Sequence, residues 1–297
     1  GKTTRLPPEL LELTEKEVWA LEPRRIAAIS ACHRIAQERN WKVGQEIGYQ
    51  VRFERRMSGQ TRLQFLTEAL LLKRLASDPE LKRVGIVVID EFHERNIHSD
   101  LAIGALKELQ ELSRPDLKIL VMSATIDDQK LKTFLQSDTV DVPGRIYPQE
   151  VFYEEKSQVM STGPAFTQRM SQLIRKALHE NSEGDVLCFL PGKNEIDWVK
   201  TELEKSLSIA IYPLHGQLPL QQQVLAIEKH PYRKIVLATN VAESSITVDG
   251  VTIVVDSGLA RTSQLHPKTG FSYLQLSRIS LASATQRAGR SARTAPG

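Results

Sequence analysis

The sequence contains few cysteines and no long apolar run. Only Cys32 and Cys188 occur among the 297 residues, and neither belongs to a Cys-x-x-Cys pair or has a His-x-x-x-His companion. This scarcity excludes a disulfide framework and a zinc-binding motif, and it is typical of proteins from a reducing compartment. No stretch approaches 18 consecutive apolar residues, and the amino terminus lacks the order of a signal peptide. We therefore expect a cytoplasmic protein with no membrane contact.

The sequence also has little net charge. Lys and Arg number 39 against 36 Asp and Glu, which leaves a formal charge of +3, so the overall charge neither requires nor excludes a polyanionic partner. Hydrophobic residues make up 41% and charged residues 25%, which is typical of a globular protein with a buried core. A length of 297 residues suffices for two domains of about 150 residues each.

Short apolar runs alternate with segments of helical spacing. The runs are continuous and β-branched, as in buried parallel strands. Strands are predicted at residues 84–90, 117–122, 185–190, 234–239 and 251–255. Helices are predicted at residues 24–38, 67–75, 100–112, 168–179, 194–207 and 220–228. The alternation predicts an α/β fold with two mostly parallel sheets flanked by helices.

Two prolines and a glycine in residues 142–148 mark a boundary between the two strand-helix series. We therefore predict one domain at residues 1–146 and a second at residues 147–297. Because the chain begins at Gly1 without a Met, we interpret it as a piece of a longer protein, with the first strand of the first domain missing.

The amino terminus matches the end of a phosphate-binding loop, G-x-x-x-x-G-K-[ST]. In such a loop the lysine neutralises the β- and γ-phosphates and the hydroxyl binds magnesium. Gly1, Lys2, Thr3 and Thr4 occupy these positions. Four residues alone are a weak signal, because Gly-Lys-Thr often occurs by chance.

An acidic pair follows the apolar run 84–89. Asp90 and Glu91 stand at the carboxyl end of a predicted central strand, where α/β sheets bind ligands. One carboxylate can hold magnesium, directly or through water, and the other can accept a proton from an attacking water. The alternative is a helix start with Asp90 as its cap.

Polar residues also follow two other predicted strands, and two arginines lie near the carboxyl terminus. Ser123 and Thr125 come after strand 117–122, where turn or cap chemistry is the alternative. The loop 239–250 is dense in short polar side chains that can bind phosphate and ribose oxygens. Arg290 and Arg293, three residues apart, would point the same way on a helix and supply two cationic groups for a triphosphate. A solvated basic face is the alternative.

Taken in order, these motifs resemble the DEAH/RHA group of superfamily 2 helicases, and its bacterial HrpB-type members in particular. The resemblance covers essentially the whole chain. The motifs that carry it are residues 1–4, 22–28, 48–54, 65–68, 90–95, 123–125, 189–192, 214–216, 239–245 and 286–290.

The resemblance implies two RecA-like P-loop NTPase domains that hydrolyse ATP between them with Mg²⁺, with other nucleoside triphosphates as alternative substrates. The implied catalytic residues are Glu91, Gln286, Arg290 and Arg293. The implied nucleotide-binding residues are Gly1, Lys2, Thr3, Thr4, Arg34, Asp90, Thr247 and Asp249. Magnesium is assigned to Thr3, Asp90 and Glu91, with Asp90 as a ligand through water and Glu91 as the general base.

The resemblance further implies a monomer that binds single-stranded or partly duplex RNA, with DNA as an alternative. Residues implied to couple the nucleotide to domain movement are His93, Ser123 and Thr125. Residues implied to bind nucleic acid are Arg24, Arg25, Thr67, Thr239 and Asn240. Because these contacts go mostly to phosphates, we expect binding with little sequence preference.

Three other functions remain open from the sequence. One is a nucleic-acid-stimulated ATPase that remodels ribonucleoprotein without processive unwinding. Another is a non-catalytic RecA-like scaffold that binds RNA, which the acidic pair and the arginines 290 and 293 disfavour. A small-nucleotide kinase is disfavoured by the second α/β unit with residues 286–293.

Overall fold

The computed structural model describes residues 2–123, 128–142, 147–154, 162–243, 246–293 and 295–297. The chain divides into two compact units, Gly1–Val142 and Pro143–Gly297. The division falls in the proline- and glycine-bearing segment that suggested a boundary in the sequence. We refer to the two parts as unit 1 and unit 2.

Unit 1 is built on a six-stranded sheet in the order β3-β2-β4-β1-β5-β6. All its neighbouring strands are parallel except β2 and β3, which are antiparallel. The strands are β1 Glu17–Glu22, β2 Ile47–Val51, β3 Glu54–Arg56, β4 Leu63–Thr67, β5 Val84–Ile89 and β6 Lys118–Val121. Every residue of β1 and β5 is buried, which explains the unbroken apolar run of β5.

Helices flank this sheet and supply the rest of the unit 1 core. They are α1 Lys2–Glu9, α2 Arg25–Arg39, α3 Glu68–Leu75, α4 Ile97–Leu112 and α5 Asp128–Leu135, with short 3-10 helices at Leu10–Leu13 and Phe92–Glu94. Asn96 caps α4, since its side chain accepts hydrogen bonds from the backbone of His98 and Ser99. Leu106 of α4 packs with Leu21 and Val87 of the central strands.

Unit 2 contains a four-stranded parallel sheet in the order β10-β7-β9-β8. Its strands are β7 Asp185–Phe189, β8 Ala210–Leu214, β9 Lys234–Ala238 and β10 Val251–Asp256, and a separate antiparallel hairpin pairs β11 Leu259–Leu265 with β12 Ser272–Arg278. Its helices are α6 Pro164–Glu180, α7 Lys193–Glu204, α8 Leu220–Ile227 and α9 Leu281–Ala288, with a 3-10 helix at Asn240–Ala242. Ile174, Val199 and Ile235 lie in its core.

The α/β class predicted from the sequence is confirmed. Each predicted strand coincides with one of the observed strands β5, β6, β7, β9 and β10. Strands β1 to β4, β8, β11 and β12 have no counterpart among the predictions. Within the described ranges, no helix is both long and apolar enough to span a bilayer.

Candidate functional site

Acidic and polar side chains meet at the carboxyl edge of the unit 1 sheet. Glu22 ends β1 and lies opposite Thr67, the last residue of β4. Asp90 follows β5, and its backbone N–H donates to the carbonyl of Leu21, 3.0 Å away. Glu22, Thr67 and Asp90 therefore lie side by side at the edge where parallel sheets bind ligands.

The first turn of α1 contacts this edge. The Thr3 hydroxyl donates to Oδ2 of Asp90 at 2.5 Å, and Nζ of Lys2 donates to the carbonyl of Ser123 at 2.5 Å. Thr4 is half-buried on the same turn. The structure thus brings together residues that the sequence places up to 121 positions apart. The predicted residues Gly1 and Thr125 lie outside the described residues.

Two of the acidic side chains at this edge are buried. Asp90 is 4% exposed, and burial, followed by the negative charge of Glu91, raises its pKa to about 6. Glu22 is fully buried. Burial first, and then the charges of Asp90 and Glu91, raise the pKa of Glu22 well above its ordinary value. A cation bound here would stabilise the ionised carboxylates.

Glu91 has an unusual backbone conformation. Its φ is 50°, in the left-handed region, which non-glycine residues adopt at an energetic cost and often at functional sites. Nδ1 of His93 lies 3.4 Å from Oε2 of Glu91, so an imidazole is within reach of the carboxylate. The N–H of Phe92 donates to the carbonyl of Met122 at 3.1 Å, which connects the residue after Glu91 to the chain leaving β6.

The residues predicted to bind nucleic acid in unit 1 surround the same edge. Arg24 precedes α2, and its Nη2 lies 3.1 Å from Oε2 of Glu94, three residues after Glu91. Arg25 is exposed as the first residue of α2. Arg34, implied by the resemblance to bind the nucleotide, lies on α2 in an ion pair with Glu38 at 2.5 Å. Sequence reasoning did not identify Glu94 as a partner of Arg24.

The oxygen ligands near Asp90 are too few for a metal ion that is bound by protein side chains alone, but they fit Mg²⁺. In the described part of the chain, no group of three or more His, Cys, Asp or Glu side chains could hold a metal ion. The edge offers the Asp90 carboxylate and the Thr3 hydroxyl. Mg²⁺ is commonly bound through one or two carboxylates, with water and substrate phosphates as the other ligands.

The polar loop of unit 2 also begins at a strand end. Thr239 follows β9, and its N–H donates to the carbonyl of Leu214 at 3.1 Å; Asn240 is exposed. Farther along, the exposed Thr247 accepts a hydrogen bond from Nη1 of Arg293 at 2.6 Å. The N–H of Asp249 donates to the carbonyl of Ile227 at 3.2 Å.

Arg290 and Arg293 do not share a helix in the structure. Helix α9 carries Gln286 but ends at Ala288, because Arg290 N–H turns back to the carbonyl of Arg287 at 3.1 Å. Arg290 is 7% exposed. Its guanidinium donates to the carbonyl of Ile246 at 2.6 Å and to that of Glu243.

A buried ion pair in unit 2 was not assigned from the sequence. Arg287 is 1% exposed, and its Nε donates to Oε2 of Glu243 at 2.9 Å. Its Nη1 donates to Oδ1 of Asp256, also at 2.9 Å. These partners lie 44 and 31 residues away in the sequence, so no local pattern indicates the pair.

The sequence of this chain is similar to those of known helicases. Residues 168–295 match the family model of the helicase conserved C-terminal domain. The ATP-dependent RNA helicase HrpB of Escherichia coli K12 is 39% identical over 304 residues, a match that covers 100% of this chain and 37% of that protein. The chain thus spans just over a third of the length of this relative.

Two crystal structures are similar to this chain in fold. A crystal structure of the Escherichia coli DEAH/RHA helicase HrpB superposes with a TM-score of 0.86 at 38% identity, covering 100% of this chain and 38% of that one. A crystal structure of the E. coli DExH-box NTPase HrpB gives a TM-score of 0.77 at 38% identity, covering 100% and 37%. By sequence and by fold, the chain is therefore similar over its whole length to HrpB helicases of the DEAH/RHA group.

Proposed function

We propose that the protein is an ATP-dependent RNA helicase motor. The observation that carries this proposal is the assembly of Lys2, Thr3 and Asp90 at the carboxyl edge of the unit 1 sheet. A cationic side chain, a hydroxyl and a buried carboxylate at one strand edge support the proposal of a site for a triphosphate with a divalent cation. The similarity to an ATP-dependent RNA helicase over the whole chain supports the same conclusion.

The residues around this edge have distinct roles in the proposed hydrolysis. Lys2 exchanges the Ser123 carbonyl for phosphate oxygens, while Thr3 and Asp90 hold Mg²⁺. A bound Mg²⁺ would supply positive charge that neutralises the negative phosphate oxygens. Glu91 accepts the proton of the water that attacks the γ-phosphorus, as the bond to ADP breaks. His93, 3.4 Å from Glu91, orients that carboxylate.

The second unit supplies further groups in this proposal. Gln286, Arg290 and Arg293 stay predicted contributors to hydrolysis, and Arg34, Thr247 and Asp249 stay predicted contacts of the nucleoside. For Arg290 the buried hydrogen bonds to two carbonyls support an indirect contribution, through the shape of the loop near Glu243.

RNA is proposed to bind through Arg24, Arg25 and Thr67 of unit 1 and through Thr239 and Asn240 of unit 2. In each unit these residues lie at or next to the carboxyl ends of strands. Contacts from such groups to phosphates give affinity with little sequence preference. The ion pair of Arg24 with Glu94 connects this RNA contact to the segment that carries Glu91.

Steady-state ATP hydrolysis by the full-length protein, with and without single-stranded RNA, tests the proposal. We expect RNA to raise turnover, and we expect Glu91→Gln to lower kcat by about 10² to 10⁴ because the general base is lost. A folded protein that binds RNA without hydrolysing ATP would contradict the proposal and favour a non-catalytic scaffold. A strand-displacement assay then separates a helicase from an ATPase that remodels ribonucleoprotein without unwinding. A monomeric state and a cytoplasmic location stay predictions.

A further inference from the structure

In unit 2, a series of hydrogen bonds joins the segment 283–293 to the loop 239–247. The partners on segment 283–293 recur every three or four residues. Ser283 Oγ and Arg287 Nε both donate to the carboxylate of Glu243. Arg290 donates to the backbone carbonyls of Glu243 and Ile246. Arg293 donates to the hydroxyl of Thr247. Among the described residues of the loop, Glu243, Ile246 and Thr247 therefore contact this segment.

Arg287 lies at the centre of this series. Besides Glu243 and Asp256, it donates to the carbonyl of Leu259 at 3.4 Å, and its guanidinium carbon lies 4.8 Å from the centre of the Phe189 ring. Phe189 ends β7 and Asp256 ends β10. The guanidinium is thus fixed by the sheet below it and by the loop beside it, and such charge-assisted bonds are strong where water is excluded.

The two ends of the pair adjoin residues with proposed roles. Glu243 directly follows the 3-10 helix Asn240–Ala242, which begins with a residue of the proposed RNA contact. Arg287 stands next to Gln286 on α9. Because Glu243 is held by Ser283 and Arg287, one helical turn apart on α9, a displacement of the loop has to move α9 or break buried bonds.

We propose that Arg287 and Glu243 are positioning residues that transmit RNA contact at Thr239 and Asn240 to Gln286 and Arg290, and so raise ATP turnover when RNA is bound. Neither residue touches ATP or RNA in this proposal. It rests on the proposed function, and it adds a physical connection, the buried ion pair, that couples the two sets of contacts.

Arg287→Lys in the full-length protein tests the proposal. Lysine keeps the charge but loses the planar fork that reaches two carboxylates and stacks on an aromatic ring. We expect the stimulation factor, the ratio of turnover with saturating RNA to turnover without RNA, to fall about tenfold, as for the loss of a charged hydrogen bond. We expect basal turnover to change by less than about threefold and the Kd for RNA to change little. Glu243→Gln, which keeps the shape of the side chain, should lower the factor in the same direction.

Arg261→Lys is the matched control. Arg261 forms a bidentate pair with the fully buried Glu195 in the same unit, at 2.5 and 2.9 Å, and it joins β11 to α7 instead of the loop to α9. We expect this variant to keep the wild-type stimulation factor. An unchanged factor in Arg287→Lys and Glu243→Gln, or an equal loss in Arg261→Lys, would overturn the proposal. A wild-type protein without any RNA stimulation would overturn the proposed function together with the coupling.

Discussion

The partly exposed carboxylates around Arg287 in unit 2 and the buried ones at the edge of unit 1 have neighbours of opposite charge. In unit 2, Glu243 and Asp256 share the guanidinium of Arg287, so the fold itself supplies the compensating positive charge. In unit 1, the charges that raise the pKa of the buried Glu22 are the negative ones of Asp90 and Glu91. In unit 2 the fold therefore supplies the positive charge beside these two carboxylates, whereas in our proposal a cation from outside stabilises the acidic edge of unit 1.

This difference separates a structural connection from a binding site. A buried ion pair with all its hydrogen bonds made holds two segments in one geometry. A cluster of buried acids with raised pKa values is a candidate functional site, because binding of a divalent cation supplies the missing stabilisation. The comparison predicts that substitutions at the two places change stability in opposite directions.

Removal of the positively charged Arg287 side chain from unit 2 should have the largest effect on the free energy of unfolding. Arg287→Met leaves the partly exposed Glu243 and Asp256 without their shared partner. We expect the free energy of unfolding to fall by about 3 to 5 kcal/mol, because two hydrogen bonds between charged groups are lost and each contributes about 1.5 to 3 kcal/mol. Urea-induced unfolding of the full-length protein measures this change. A loss below about 1 kcal/mol, the range of a surface ion pair, would contradict the comparison.

Removal of an acid from unit 1 should instead stabilise the nucleotide-free protein. Folded Asp90 keeps its proton up to a pKa of about 6, whereas an unfolded aspartate loses it near about 4. Between these values the folded state binds more protons, so stability falls as pH rises through this window. We therefore expect Asp90→Asn to add up to about 3 kcal/mol at neutral pH and little below about pH 4.

Thermal unfolding across this pH range checks the expectation for Asp90. Asp116 provides a control of opposite sign, because hydrogen bonds from Arg114 and then Lys16 lower its pKa. Asp116→Asn should reduce stability at neutral pH. A destabilised Asp90→Asn variant at neutral pH, or a stabilisation independent of pH, would contradict the assignment of the acidic edge.

The smallest effect is expected at the ion pair between Arg24 and Glu94, which is partly exposed. In the proposed function, Glu94→Gln removes a negative charge that competes with RNA phosphates for Arg24. We expect a roughly two- to fivefold lower Kd for single-stranded RNA, which is the range of a partly exposed ion pair. Fluorescence anisotropy with a labelled RNA measures it. Asp100→Asn, at the exposed pair with Arg95, serves as the control, and equal affinities of both variants would count against the competition.

The sequence was most informative where strands are buried on both faces. The run Val84–Ile89 is continuous and apolar, and it predicted both β5 and the place of Asp90 at the strand end. Strand β1 was missed because it starts and ends with glutamates, both of which are buried, so that only four apolar residues stand between them. The hairpin of β11 and β12 left a signal in the turn residues 266–270, between two segments of strand-forming residues.

The site was less predictable because it depends on long-range contacts. Lys2, Thr3, Asp90 and Ser123 were predicted from motifs, and their proximity follows from parallel strands that end at one edge. The partners of Arg287 lie on other elements, far along the chain. Burial, which turns that arginine into a structural connection, is not visible in the residues beside it.

Isothermal titration of a nonhydrolysable ATP analogue, with and without Mg²⁺, tests whether the acidic edge of unit 1 binds a cation together with the nucleotide. The wild-type protein and Asp90→Asn should be compared under both conditions. We expect Mg²⁺ to lower the Kd of the wild-type protein for the ATP analogue. In Asp90→Asn, which should stay folded, we expect the Kd to be the same with and without Mg²⁺. An equal effect of Mg²⁺ on both proteins would contradict the assignment of a nucleotide-bound cation to the acidic edge of unit 1.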